Sequence, residues 1–362
     1  MMRRLITLIL FTLFLQIVLG QNKPVVNDNE NLKVDAGFVP DKSDRNNNFY
    51  DNEPVYQLPM KDLYIDGEVE NPGKVDFSKL PLHTVIVKEA LFKGDTSNRF
   101  IGAYRYDGYS LFDILNDRIL KKKNAAEFKP IIDVYVTIEN DKGDKVIMSW
   151  GEIYYPNFLH NSIIASHVMR IVPSKTKDLW PLPAESKLVI VNDLITERNI
   201  SSPVKITVHS LDRTYPINRE LSPLVSEKVD FYQGENLTGQ MESIPANYQT
   251  ETLHTIFYGK GRGIHSTQPF SGIYLKEYLL NKTKIDGSAL KKGLVVMAGI
   301  DGYRSVYSLS EIVNRNDQAE VLVVPCPGEK DGGKFRIFPS CDFFSDRAVK
   351  ALSEIRIELL KE

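Results

Sequence analysis

Cysteine is scarce: the 362 residues carry two, Cys326 and Cys341. Two thiols exclude a disulfide-dense scaffold, a four-thiolate zinc site and a multi-cluster iron–sulfur protein. Excess charge is lacking too. The 45 Lys and Arg against 47 Asp and Glu leave a net charge of −2, so no general field draws the chain to nucleic acid. The 6 histidines form no HxH or HExxH spacing, and no CxxC or GxSxG occurs, so no common zinc, redox or serine-nucleophile motif is present. What is there is ordinary for a globular chain, 42% hydrophobic and 25% charged, and long enough for two domains.

The ends and linkers are compositionally distinct. MMRRLITLILFTLFLQIVLGQ carries Arg3 and Arg4, an apolar run, and the small residues Val18 and Gly20 at cleavage positions. Residues 1–20 read as a secretory signal peptide cut after Gly20, with an uncleaved anchor as the alternative. The expected location is secreted or periplasmic, with no transmembrane span after cleavage. Residues 21–55 are rich in Asn and Asp and read as a flexible leader. Residues 210–226 hold Pro216 and Pro223 and read as a linker between domains at 56–209 and 227–362.

The two halves repeat each other. LHTVIV (82–87) matches LHTIFY (253–258), and YDGYSLFDIL (106–115) matches FSGIYLKEYL (270–279). VTIENDKGDKVIMSWGEI (136–153) matches VMAGIDGYRSVYSLSEI (296–312). KLVIV (187–191) pairs with KFRIF (334–338), and VKITVH (204–209) with EIRIEL (354–359). The common order marks a duplication. Each half alternates β-branched strand runs with helical faces, such as Leu111, Phe112, Ile114, Leu115 and Ile119 behind Ser110 as N-cap. Ser149 with Glu152, and Ser308 with Glu311, read as capping boxes.

The second half resembles the oxidoreductase molybdopterin-binding domain, the fold of the sulfite oxidase family. The residues that carry this are Gly272-Ile273-Tyr274-Leu275, then Gly299-Ile300-Asp301-Gly302-Tyr303 through Ser308-Leu309-Ser310-Glu311, and Asp331 to Pro339 with Arg347-Ala348-Val349-Lys350 and Ile355-Arg356-Ile357. The first half resembles it through Leu63 to Gly73. The resemblance covers about residues 56–362. It implies an α+β fold: two tandem sulfite-oxidase-like molybdopterin-binding-type domains of mixed sheets with short helices. Catalytic members of the family hold molybdenum through a cysteine thiolate just after an early strand. The matching stretches, Lys88–Asn98 and Gly259–Gln268, contain no cysteine, and no other residue type there supplies a soft thiolate. The expected function is therefore a secreted, non-catalytic binding or assembly module with no cofactor. The alternative is a molybdopterin-dependent oxidoreductase with non-cysteine ligation.

Tyr258 to Thr267 places Lys260, Arg262 and His265 among alternating glycines. It reads as a candidate anion-binding loop, with a solvated turn as the alternative. The expected partner is a small anion or a protein. Cys326 and Cys341 flank strand-like runs and read as a disulfide, with two separate buried thiols as the alternative. His83 and His254 hold equivalent places in the repeat and read as packing groups. His160 and His167 lie seven apart with no carboxylate in register, a weak metal signal. Asp301-Gly302 reads as a hairpin turn.

Overall fold

The computed structural model describes residues 32–34, 53–93, 97–173, 175–326 and 333–360. The expected signal peptide and most of the leader lie outside the described residues. In the first half the chain forms β1 (Lys33–Val34), β2 (Tyr56–Gln57), β3 (Tyr64–Gly67), β4 (Gly73–Lys74), β5 (His83–Lys93), β6 (Ser97–Ser110), helix α1 (Leu111–Asn116), β7 (Val134–Asn140), β8 (Lys145–Ser149), helix α2 (Trp150–Tyr154), β9 (Ser162–Arg170), β10 (Lys187–Ile190) and β11 (Pro203–Ser210). The second half continues with β12 (Val229–Gln233), β13 (Asn236–Met241), β14 (Glu251–Leu253), β15 (Phe257–Gly259), β16 (Gly263–Ser266), β17 (Phe270–Tyr274), helices α3 (Leu275–Lys282) and α4 (Gly287–Lys292), β18 (Gly293–Gly299), β19 (Arg304–Ser308), helix α5 (Leu309–Val313), β20 (Val321–Pro325), β21 (Phe335–Pro339) and β22 (Leu352–Leu359).

Repeated sequence becomes repeated topology. The sheet order β4-β3-β11-β7-β8 recurs as β13-β12-β22-β18-β19, and β5-β6-β9-β10 recurs as β14-β17-β20-β21. In each half the last strand returns parallel to the first and antiparallel to the central strand, β11 on β3 and β7, β22 on β12 and β18. Among the described residues no sheet mixes strands from the two halves. Each half has a main cluster, Ile65, Val136 and Ile206 in the first and Phe231, Val295 and Ile355 in the second, and a smaller one on its other sheet, around Val85, Tyr104 and Val168 or Leu322, Val324 and Phe338. Burying such branched side chains supplies the main driving force for the fold.

The α+β expectation is overturned. The chain is mostly β, 43% strand and 13% helix, with small sheets in a four-blade, propeller-like arrangement in place of two α+β domains. The helical faces read from the sequence yield short helices. That behind Ser110 stops at Asn116, and Ile119 lies outside it, exposed. LHTIFY is also broken: β14 ends at Leu253 and β15 starts at Phe257. No helix among the described residues is long and apolar enough to cross a membrane.

The halves share a core. Tyr135, Ile147 and Leu211 pack against Leu294, Val296 and Val306, so β7 and β8 press on β18 and β19. Beside this layer lies a buried charged network. Arg198 donates to Asp193 at 2.7 and 2.9 Å, to Glu152 at 2.5 and 3.0 Å, and to Ser308 Oγ at 3.0 Å. Arg347 donates to Asp342 at 2.6 and 2.7 Å, to Glu311 at 3.1 and 3.2 Å, and to Ser149 Oγ at 3.1 Å. Ser149 and Ser308 are the N-caps of α2 and α5. The capping box closes at Ser308, where Glu311 Oε1 accepts the Ser308 N–H at 2.8 Å. It does not close at Ser149, because the Glu152 carboxylate is committed to Arg198 and to the Ser308 hydroxyl.

Candidate functional site

The glycine-rich basic segment is a β-hairpin. β15 and β16 pair antiparallel, Phe257 opposite Ser266 and Gly259 opposite Gly263, with an irregularity after Phe257. Lys260, Gly261 and Arg262 form its tip, and Gly263 turns the chain at φ 74°, a conformation that glycine adopts without steric cost. Gly259 is buried under His265: a Cβ there would stand 2.4 Å from His265 Nε2. Of the three basic residues of the candidate loop, Arg262 and His265 wall one cavity together. The Lys260 backbone N–H donates to Asp346 Oδ2 at 3.3 Å, so a carboxylate of the chain already occupies that amide.

Two cavities flank the hairpin. One, about 350 Å³, is walled by Arg262, His265 and Lys350 but also by Asp301 and Asp346. The other, about 640 Å³, is walled by Phe257, His265, Phe270, Cys326, Arg336 and Lys350, with Ser266, Gln268 and Ser271 as further polar groups and no carboxylate among the described residues. Lys260 lines neither. Charge separates the two. In the smaller cavity two carboxylates offset two cations; in the larger the charged groups among the described residues are all cations.

Arg336 is the residue that distinguishes the larger cleft. It lies in β21 opposite Val324 and is 8% exposed. Its guanidinium carbon sits 5.6 Å from the Phe257 ring centroid and 5.8 Å from that of Phe270. Its Nε is buried without a hydrogen-bond partner, and no carboxylate among the described residues pairs with it. Arg198, Arg304 and Arg347, the fully buried arginines, each hold at least one carboxylate. A buried cation without an anion is costly, and two aromatic faces offset only part of that cost. Sequence reasoning passed over Arg336 and Lys350. The signal was a charged residue inside the apolar run Phe335-Arg336-Ile337-Phe338, where both faces of the strand are buried.

The structure does not join Cys326 to Cys341. β20 and β21 pair as an antiparallel hairpin, and the Cys326 N–H donates to Lys334 O at 2.8 Å, at the start of β21. Cys341 follows the other end of that five-residue strand. The two thiols thus sit beyond opposite ends of a strand roughly 15 Å long, against a reach of about 7 Å between bridged Cα atoms. Asp301-Gly302 does form a tight turn, with Gly302 at φ 82° and its N–H on Gly299 O at 3.0 Å. Asp301 also walls the smaller cavity. His83 and His254 differ: His254 is exposed, whereas His83 is bonded to Asp113.

A thiolate-held molybdenum centre does not fit these residues. The hairpin that follows the early strand carries no thiol. The one thiol in the cleft wall, Cys326, directs its Sγ back to Val324 O at 3.7 Å.

No protein-family model matches the chain, and no curated protein does. Among solved structures, the sulfane dehydrogenase SoxCD from Paracoccus pantotrophus is similar at a TM-score of 0.29 and 10% identity, over 83% of this chain and 78% of that one. At that level the likeness supports neither an activity nor a cofactor for this chain.

Proposed function

We propose that the chain is an exported, non-catalytic binding protein whose second-half cleft takes a small organic anion, a carboxylate or phosphate on an apolar body. The observation that carries this reading is Arg336: buried, partnerless at Nε among the described residues, and facing a cleft whose described lining holds no carboxylate. Lys350 and His265 add donors at the same wall, while Phe257, Phe270 and Val324 offer apolar surface to the ligand body. The cleft volume falls within the range of small-molecule sites. The apolar segment behind Arg3 and Arg4 supports export.

The test is calorimetric titration of the full mature chain with benzoate, phenyl phosphate and sulfate at constant ionic strength. The organic anions should bind and sulfate should bind more weakly, since it brings no apolar surface. Binding should weaken with added salt, because exposed charges are screened beyond about 8–10 Å at physiological strength. Chain produced in a molybdopterin-competent host should carry well under one molybdenum per chain. Stoichiometric molybdenum would favour the oxidoreductase alternative.

A further inference from the structure

The outer face of the β15–β16 hairpin leaves apolar side chains in solvent. Side chains alternate across a strand, and in β15 Phe257 and Gly259 are buried while Tyr258 is 40% exposed. Tyr258 stands opposite Ile264, itself 57% exposed. The Phe343 ring, 52% exposed, lies beside Tyr258 with centroids 5.8 Å apart. Ile256, just before β15, is 68% exposed. Lys260 and Arg262 stand exposed at the tip of the same hairpin. Residues 255–270 contain no Asp or Glu. Asp346, which accepts the Lys260 backbone N–H at 3.3 Å, walls the smaller cavity together with Phe257 and Gly259, on the inner side of the hairpin. The two strands form a sheet of their own.

We propose that this face of the hairpin docks the protein on an anionic lipid bilayer. An exposed apolar group rimmed by polar residues marks an interaction surface, and charge complementarity selects the occupant. Two cations at the tip of a segment without acids suit a surface of anionic headgroups, which draws basic residues toward it. Beside them, aliphatic and aromatic side chains can enter the boundary between headgroups and acyl chains. Tyr258 carries an apolar ring and a polar hydroxyl, the pairing that places tyrosine at headgroup level. Lys260 and Arg262 have long stems that keep their charges among the phosphates while the apolar pair lies deeper. None of Tyr258, Ile264 and Lys260 walls the Arg336 cleft, so the docking face and the cleft stand or fall separately.

The test is flotation of the full mature chain with phosphatidylcholine vesicles, with and without phosphatidylglycerol, at low and at physiological salt. The chain should float with vesicles that contain phosphatidylglycerol, far less with phosphatidylcholine alone, and less as salt rises. Lys260→Ala combined with Arg262→Ala should weaken partition by about tenfold or more, since each basic residue near an anionic surface gives on the order of a fivefold gain. Tyr258→Ser combined with Ile264→Ser should weaken it by a similar factor through lost apolar burial. Leu237→Ser, a change at an exposed apolar residue of β13, should leave it unchanged. Both double variants alter exposed side chains, and an unchanged melting temperature verifies that they fold. Absence of phosphatidylglycerol-dependent flotation in the wild type would overturn the proposal, as would equal partition by the wild type and either folded double variant. Self-association without flotation, abolished by Tyr258→Ser with Ile264→Ser, would overturn it in favour of a second copy of the chain.

Discussion

Arg198 and Arg347 donate reciprocally across the two halves: Arg198 reaches the N-cap hydroxyl of Ser308 at 3.0 Å, and Arg347 reaches that of Ser149 at 3.1 Å. Each is also held by an aspartate in its own loop, Asp193 or Asp342. Isolated strand bridges repeat the exchange, Pro156 with Asp342 and Asp193 with Arg315. Such contacts are what a two-fold dimer interface shows, residue i meeting j and the copy of j meeting the copy of i. Here duplication has brought that arrangement inside one chain, and it fixes the frame on which the second-half hairpin and its cleft are built.

Removing one arginine should therefore act on the whole molecule. Arg347→Ala leaves Asp342 and Glu311 buried without their cation. Breaking buried pairs of this kind costs about 3–5 kcal/mol. Urea denaturation should show a loss in that range, and Arg198→Ala added to it should cost less than its own separate effect, since Ser308 links a partner of each arginine into one network. A loss below about 1 kcal/mol, the level of an exposed ion pair, would contradict the network's structural role.

The network also sets a pH dependence. Two guanidiniums face four carboxylates, Asp193, Glu152, Asp342 and Glu311. Burial pushes the Glu311 carboxyl from 4.5 up to about 7, with Arg347 opposing. The folded chain then holds a proton that the unfolded chain has released between those two values. This contribution to stability is complete below the unfolded pKa and is lost as pH rises through the folded one. Denaturation midpoints measured from about pH 5 to pH 8 should fall through this window, and Glu311→Gln should flatten that component. Parallel profiles for the two proteins would refute the assignment.

The thiols supply a covalent check. Mass mapping of the exported protein under non-reducing conditions should find no peptide that links Cys326 to Cys341. Such a peptide would require a β20–β21 register other than the observed one.

Two glycines mark where the repeat needs close strands. A Cβ on Gly108 would stand 2.3 Å from Ile164 O, and one on Gly272 would stand 2.2 Å from Val323 O. They are matched positions of the duplication, at the same point of β6 and β17. Gly108→Ala and Gly272→Ala should each destabilise by about 2 kcal/mol or more, since backbone rather than a mobile side chain must give way. Thermal melts close to that of the wild type would show that the sheets relax more readily than this.

These glycines show what was legible in the sequence. The matched blocks carried the strand order, the Asp301-Gly302 turn and the Ser308 cap, because turns, caps and alternation are local properties. The α+β class implied by the family resemblance gives way because the helices behind Ser110 and Ser149 span only 6 and 5 residues, while strands make up 43% of the chain. Asp193/Arg198 and Asp342/Arg347 share one spacing in both halves, a signal that could have revealed the network. Tyr258 and Phe343 come together only through tertiary packing, and no spacing announces them. Arg336 was visible as a charge in an apolar strand, but its missing partner is a fact of three dimensions.

The most direct test of the account compares Arg336→Gln with Lys260→Ala in the benzoate and phenyl phosphate titrations. The cleft reading predicts that Arg336→Gln loses about tenfold or more in affinity, as for a buried charge-assisted contact of about 1.5–3 kcal/mol. Lys260→Ala should bind as the wild type does, because Lys260 lines neither cavity. Unchanged affinity in Arg336→Gln, or a larger loss in Lys260→Ala, would contradict the placement of the site.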